Sequence, residues 1–387
     1  MKIISVLENI KKIKGKKIVL RLDLNVPVVK GKITNDYKLR CVLPTINLLR
    51  RSGCSIVIIT HLGEPKLPLN KKQANVWSVQ PLAKWLSKKL NLSLKVSNTE
   101  WPAIHSMVKR MSSGEVIMLE NIRLFKGELE NSETLAKQLA SLGEIYINDA
   151  FAVCHRQHAS VSAIKNYLPA LAGPLLTTEV VNLEKAKTGK KPLVLIMGGA
   201  KLSTKLPLLK KLAPLASVIL TGGGIANTIL KSQGKAIGSS LFDKEGATAY
   251  SRFKLSNVIV PVDVAVLSRA KRLGKNINNI KATEKILDIG SKTIKLYGQY
   301  IKSAKTIIWN GPMGLFEKIA FAKGTKQIAL LVAQATKNKV FTLIGGGETV
   351  AALGNVKNFS WISTGGGATI SYLEGKILPG LTKLVRY

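Results

Sequence analysis

Short, uninterrupted apolar runs rich in Ile, Val and Leu alternate along the chain with glycine or polar turns and longer helical stretches. The runs predict strands at Ile18–Leu24, Ser55–Thr60, Val116–Leu119 and Ile145–Ile147 in the first half. In the second half they predict strands at Leu193–Met197, Val218–Thr221, Val258–Pro261, Thr306–Trp309 and Phe341–Ile344. Runs of this kind fit strands covered on both faces, and the stretches between them fit crossover helices. The expected fold class is α/β, with two doubly wound, Rossmann-like parallel-sheet domains. Between them, Pro174 to Gly189 reads as a joining helix, with Leu176, Val180 and Leu183 on one stripe and Gly189 as its C-cap. The expected organisation is an N-terminal domain over 1–172, an interdomain helix over 173–188 and a C-terminal domain over 189–369, with a cleft between the domains.

Composition narrows the class. The chain has 387 residues, 46% of them hydrophobic and 21% charged, which suits two or three globular domains and excludes a wholly disordered chain. Cys41, Cys54 and Cys154 are far apart and form neither a disulfide framework nor a zinc pattern, so a reducing compartment is expected. Lysines interrupt Met1 to Lys17, so no signal-peptide core forms. The longest charge-free stretch, Leu212 to Leu230, contains Pro214, Gly222, Gly223, Gly224 and Asn227 and reads as strand, turn and helix rather than a membrane span. A cytoplasmic location without membrane contact is expected.

The formal net charge of +37 raises the question of nucleic acid. The excess is mostly lysine in short runs such as Lys11-Lys12, Lys71-Lys72 and Lys190-Lys191, with no recognition helix, zinc finger or RNP-like strand. It reads as a solvated basic surface, and no specific nucleic-acid partner is expected.

The second-half strands run into glycines: Gly198-Gly199, Gly222-Gly223-Gly224, Gly311 and Gly345-Gly346-Gly347, with a further triplet at Gly365-Gly366-Gly367. Strand, glycine turn and helix in succession present unpaired N–H groups to a phosphorylated ligand. Neither GxGxxG nor GxxxxGK[ST] is present, which excludes a dinucleotide fingerprint and a Walker loop. After the first junction, Lys201 and Lys205 are four residues apart and are expected on one face of a helix starting there, both within reach of one polyphosphate.

The first-half strands run into charge. Arg21, Asp23 and Asn25 alternate and are expected to share one strand face. After the strand at Ile145, Asn148-Asp149 leads to Cys154, His155, Arg156 and His158, a set that lacks a fourth ligand for zinc. Arg21, Arg123 and Arg156 offer planar forks suited to carboxylate and phosphate, so a small phosphorylated acid is the expected substrate. One half for an acid and one for a nucleotide imply transfer between them, with two lobes that close to exclude water.

The motifs occur in an order that resembles phosphoglycerate kinases over essentially the whole chain. They are Arg21 to Pro27, Thr60-His61-Leu62-Gly63, Glu120-Asn121-Ile122-Arg123, Asn148 to Ser160, Gly198 to Lys205 and Gly222 to Thr228. Asp288-Ile289-Gly290, Asn310 to Glu317, Gly345 to Thr349 and Ser363 to Gly367 complete the set. The resemblance implies reversible phosphoryl transfer between 1,3-bisphosphoglycerate and ADP, giving 3-phosphoglycerate and ATP, with Mg2+ on the nucleotide. It implies that Arg21, Asp23, Asn25, His61, Arg123 and Arg156 hold the acid. Lys201 and the residue at position 38 would act on the transferring group, with the backbone of Gly346, Gly347, Gly366 and Gly367. Lys205, Gly223, Gly224, Asn310, Glu317 and Thr349 would bind the nucleotide, and Glu348 the metal. It further implies a monomer whose segment 370–387 packs back on the N-terminal domain.

Three positions depart from the family pattern. Lys38 stands where the family has Arg, Glu64 where it has the Arg of His-Leu-Gly-Arg-Pro, and Glu348 where it has Asp. Lysine keeps the charge but loses the fork, and Glu64 reverses a charge at the rim of the anion site. One arrangement open to them is a pair between Lys38 and Glu64, which would draw Lys38 away from catalysis. The expected outcome is an active but weakened kinase, the alternative being a kinase-like scaffold that holds nucleic acid or an acidic partner on its basic surface.

Overall fold

The apolar runs fold as parallel strands because both faces of each are covered. In the strand Lys17–Arg21, Ile18 and Leu20 join one core with Ile56, Ile58 and Ile147, while Val19 joins the opposite core with Val57, Ile117 and Tyr146. This two-residue alternation between two apolar layers explains why no polar alternation is visible in the sequence. The computed structural model describes residues 2–253 and 255–386. Met1 and Tyr387, the outer limits of the expected domains, lie outside the described residues, as does Lys254.

The chain divides into two compact units, one reaching Val180 and taking back the segment from Ile377 onward, the other spanning Val181–Lys376. In the first unit a six-stranded parallel sheet runs in the order Lys95–Val96, Val116–Met118, Ser55–Ile59, Lys17–Arg21, Ile145–Asn148, Ala170–Ala172. In the second, another six-stranded parallel sheet runs Val258–Ile259, Val218–Thr221, Leu193–Met197, Thr306–Asn310, Phe341–Gly345, Trp361–Ile362. In each sheet the chain begins at an inner strand, builds to one side and then to the other. The crevice at such a reversal, beyond the carboxyl ends of the strands, is where doubly wound sheets bind ligands.

Several features differ from the sequence expectation. The first strand ends at Arg21, not Leu24, because the following N–H groups turn to side chains: Leu24 donates to Thr60 Oγ1 and Asn25 to Asp23 Oδ1. Arg21, Asp23 and Asn25 therefore do not share a strand face; the last two lie in the loop beyond it. The second unit also carries a three-stranded antiparallel sheet, Lys271–Asn276, Asp263–Ser268 and Lys285–Ile289, outside the expected strands, although its central strand holds the apolar run Val264, Ala265, Val266 and Leu267.

The helix Pro174–Lys187 buries Leu176, Val180 and Leu183, and the division between units falls within it, after Val180. The helix Gly367–Leu373 belongs to the second unit, and the return to the first begins at Ile377 rather than residue 370. There Val385–Arg386 pairs antiparallel with Lys2–Ile3, Gly380 N–H donates to Cys154 O at 2.8 Å, and Lys165 Nζ donates to Thr382 O at 2.8 Å. No helix among the described residues is long and apolar enough to cross a membrane.

Candidate active site

In the first unit the cationic residues gather at the carboxyl ends of the central strands. Arg21, the last residue of its strand, is buried, and its Nε donates to Ser160 Oγ at 3.0 Å. Its Nη1 donates to Leu22 O, and its Nη2 lies 3.4 Å from His61 Nδ1. Burial, followed by the charges of Arg21, Arg123, Lys38 and Arg156, holds the His61 imidazole well below its ordinary pKa. His61 is thus neutral near pH 7; with Nδ1 facing a guanidinium, its proton belongs on Nε2.

Arg123 follows the strand Val116–Met118 in a short 3-10 turn capped by Asn121, whose side chain accepts from Arg123 N–H at 3.2 Å. The Arg123 side chain is only 4% exposed, and its Nη1 donates to Gly63 O at 2.6 Å. Burial, the largest effect, lowers its pKa, while Glu64 opposes the shift. Asn25 Oδ1 accepts from Gly63 N–H at 3.0 Å, so one peptide turn is held from both sides. Arg156, after the strand Ile145–Asn148, is the more open of the two, 36% exposed. The two guanidinium groups meet at one oxygen: Glu64 Oε1 lies 3.1 Å from Arg123 Nη1 and 3.4 Å from Arg156 Nη1.

A Lys38–Glu64 pair is not formed. Lys38 Nζ lies 2.6 Å from Asp23 Oδ2, and Glu64 goes to the arginines. Lys38, in the first turn of the helix Tyr37–Arg51, reaches the loop carrying Asp23, whereas Glu64 leaves the turn that Arg123 already grips. Beneath this cluster lies a residue that sequence reasoning missed. Glu128 is buried and accepts from the N–H and Oγ of Ser160, the same hydroxyl that receives Arg21. A glutamate beside Gly127 reads as surface, and no signal in the sequence points inward. Burial raises the Glu128 pKa against the pull of Arg21, Ser160 and Arg123. His155 and His158 form no metal cluster with Cys154, since no group of three or more His, Cys, Asp or Glu suited to a metal exists among the described residues.

In the second unit, two adjoining cavities lie at the strand ends. One, of about 410 Å³, is lined by Lys201, Lys205, Asn310, Gly346, Gly347, Glu348, Thr349, Gly366 and Gly367, all residues singled out from the sequence. The other, of about 160 Å³, is lined by Gly223, Gly224, Asn227, Leu241, Leu287, Phe316 and Glu317, and shares Gly199, Ala200 and Glu348 with the first. Two glycines make this geometry possible. A Cβ on Gly224 would stand 2.3 Å from Ala200 O, and one on Gly311, whose φ is +96°, would stand 2.1 Å from Gly198 O. The loops after neighbouring strands therefore cross in backbone contact.

Lys201 and Lys205 do not lie on one helix as expected, because the helix starts only at Leu206, with Pro207 in its first turn. They reach the same cavity from an irregular loop. Lys205 Nζ donates to Asn310 Oδ1; burial lowers the pKa of its ammonium, with Glu348 and Glu374 pulling it back up. Thr349 accepts from Gly311 N–H at 2.7 Å and donates to Gly345 O at 2.7 Å, tying two glycine loops together. Glu317 is exposed at the rim of the smaller cavity. Asn227 is 3% exposed; its Nδ2 donates to Leu241 O at 3.1 Å, and its Oδ1 has no hydrogen-bond partner among the described residues. Its place in the Gly222–Thr228 stretch marked it only as part of a motif.

Known proteins bear on both sites. The phosphoglycerate kinase family model matches residues 7–376. The phosphoglycerate kinase of Borrelia duttonii (strain Ly) is 40% identical over 385 residues, covering 96% of each chain. That of Francisella tularensis subsp. tularensis (strain WY96-3418) is 39% identical over 384 residues, covering 95% of each. Among solved structures, phosphoglycerate kinase from Coxiella burnetii superposes with a TM-score of 0.86 at 40% identity, covering 95% of this chain and 96% of that one. The enzyme from Pyrococcus horikoshii OT3 gives 0.81 at 29% identity, covering 96% of each.

Proposed function

Since this chain belongs to the phosphoglycerate kinase family and is an ATP-dependent phosphotransferase acting on a carboxyl group, we propose that its two anion sites divide the reaction, 3-phosphoglycerate or 1,3-bisphosphoglycerate binding at the arginines and ATP or ADP in the glycine-framed cavities. The observation that carries this division is the single Glu64 oxygen shared by Arg123 and Arg156. Two guanidinium groups that converge on one oxygen of a carboxylate are set for an oxygen of a phosphate.

In this reading Arg123, Arg156 and neutral His61 orient the acid, and Asn25 does so through the Gly63 turn. Arg21 acts from below by fixing His61 and Ser160. Asp23 holds Lys38, which in this reading acts on the transferring phosphoryl. Lys201 stabilises that group from the nucleotide side, Lys205 is aimed by Asn310, and the smaller cavity takes base and ribose, the latter at Glu317. The backbone N–H groups of Gly346, Gly347, Gly366 and Gly367 are offered to the migrating charge. Transfer is direct and in line, so positioning and charge stabilisation suffice, with no covalent enzyme intermediate.

Glu348 fits a nucleotide-bound Mg2+. Its carboxylate faces Gly199 on the wall shared by both cavities, and Mg2+ is commonly held by one or two carboxylates together with substrate phosphates. When bound, the ion would neutralise charge on the phosphate oxygens. A monomer in the cytoplasm belongs to the same reading.

The test is ATP-dependent phosphorylation of 3-phosphoglycerate in a coupled assay, with Lys201→Ala as control. Turnover well above the control is expected; turnover equal to it sinks the assignment.

A further inference from the structure

We propose that Glu64 is an internal occupant of the acid site, its carboxylate seated on Arg123 and Arg156 so that an incoming anion binds by displacing it. This rests on the reading of the arginine pair as the acid-binding wall and adds to it a competitor carried by the chain itself.

The geometry supports an occupant rather than a distant charge. Glu64 Oε1 is within 3.4 Å of both guanidinium groups, the position a ligand oxygen would take. The backbone that delivers it is held by the same site. Gly63 has φ +60°, its N–H donates to Asn25 and its carbonyl accepts from Arg123. Behind it the Trp77 ring closes the turn, leaving a Cβ at position 63 only 2.0 Å from a ring atom. The residue after Gly63 is therefore delivered to the arginines by construction.

The two sides of the contact are unequal. The Arg123 side chain is 4% exposed and fixed, whereas the Glu64 side chain is 73% exposed on a flexible two-methylene arm. Displacement moves the glutamate into water and leaves the arginines in place. Both guanidinium groups lower the Glu64 pKa, Arg123 more than Arg156, so the occupant remains a carboxylate in neutral solution.

Displacement has a quantitative signature. Every anion that needs the seat must evict the same carboxylate, so all lose the same factor in affinity. A charge acting only through its field would penalise ligands in proportion to their own charge. For an ion pair this exposed, the common factor is about 2- to 5-fold.

The experiment measures dissociation constants of 3-phosphoglycerate and of sulfate for the full chain as wild type, Glu64→Gln and Glu64→Ala, with ATP binding measured alongside. Glu64→Ala is expected to tighten both anions by one common factor of about 2 to 5, with Glu64→Gln between it and wild type and ATP unaffected. Unchanged or weaker anion binding in both variants overturns the proposal, as does tightening graded by ligand charge. An Arg156→Ala arm tests the underlying reading separately. If it leaves the wild-type affinity for 3-phosphoglycerate intact, the arginine pair is not the acid wall, and the proposal falls with it.

Discussion

Lys38 Nζ stands 2.6 Å from Asp23 Oδ2, bringing the start of the helix Tyr37–Arg51 onto the loop that follows the strand Lys17–Arg21. The pair is partly buried, with side chains 31% and 11% exposed, so the ammonium is held by its partner rather than left to sample solvent. A lysine in this position acts as a point charge, whereas arginine would keep Asp23 on one edge of its fork and present the other to a phosphoryl oxygen.

Lys38→Arg is accordingly expected to raise kcat more than it changes KM for 3-phosphoglycerate, and Lys38→Ala to lower kcat by about 10²-fold, the scale of losing one transition-state donor. Steady-state kinetics at saturating ATP check both. A kcat unchanged in Lys38→Arg would reject the role.

Lys201 and Lys205 line one cavity but should fail differently when removed. Lys201 is exposed, while Lys205 is half-buried and bonded to Asn310. Lys201→Ala is expected to lower kcat by about 10²- to 10³-fold with ATP affinity little changed. Lys205→Ala should chiefly raise KM for ATP. Equal losses in kcat and KM for both variants would show that the two lysines serve the same step.

The strands and glycine junctions were legible because each depends on local chemistry: a β-branched run buried on both faces, or a backbone crossing that leaves no room for a Cβ. Pairings between distant charges were not. Lys38, Arg123 and Arg156 compete for Asp23 and Glu64, and the outcome depends on Arg123 gripping the Gly63 carbonyl from 60 positions away. The spacing of four between Lys201 and Lys205 reads as helical. Pro207 instead favours a start at Leu206, where its missing N–H is no loss. In the antiparallel sheet the central strand holds the apolar run Val264, Ala265, Val266 and Leu267, but the pairing is hidden because its neighbour Lys271–Asn276 is largely exposed and carries only one apolar residue, Leu273.

Asn227 Oδ1, buried beside the smaller cavity and without a hydrogen-bond partner among the described residues, is an acceptor open to a ligand's donor. An exocyclic amino group of a purine supplies one. Asn227→Ala is expected to weaken ATP binding by about tenfold, the worth of one buried hydrogen bond. ATP titrations on both proteins measure it, and equal affinities would show that the base is not read at this position.

Asp149 connects Thr45, whose hydroxyl donates to Oδ2, with Leu176, whose N–H donates to Oδ1 at 2.8 Å. Burial pushes its pKa up to about 6 from 3.8, against the pull of Thr45 and the Leu176 and Leu175 amides. Between those two values the folded protein retains a proton that the unfolded chain has released. Stability from this group therefore falls as pH rises from about 4 to about 6, and is level above that. Asp149→Asn keeps an acceptor for Leu176 and replaces the other oxygen with a donor that Thr45 Oγ1 accepts. The variant should thus lack this dependence while sharing every other titrating group. Denaturant unfolding from pH 4 to pH 8 is expected to show wild type losing ground to the variant across that window and holding a constant difference beyond it. A difference that is flat throughout would mean that the Asp149 carboxyl ionises alike in the folded and unfolded chains.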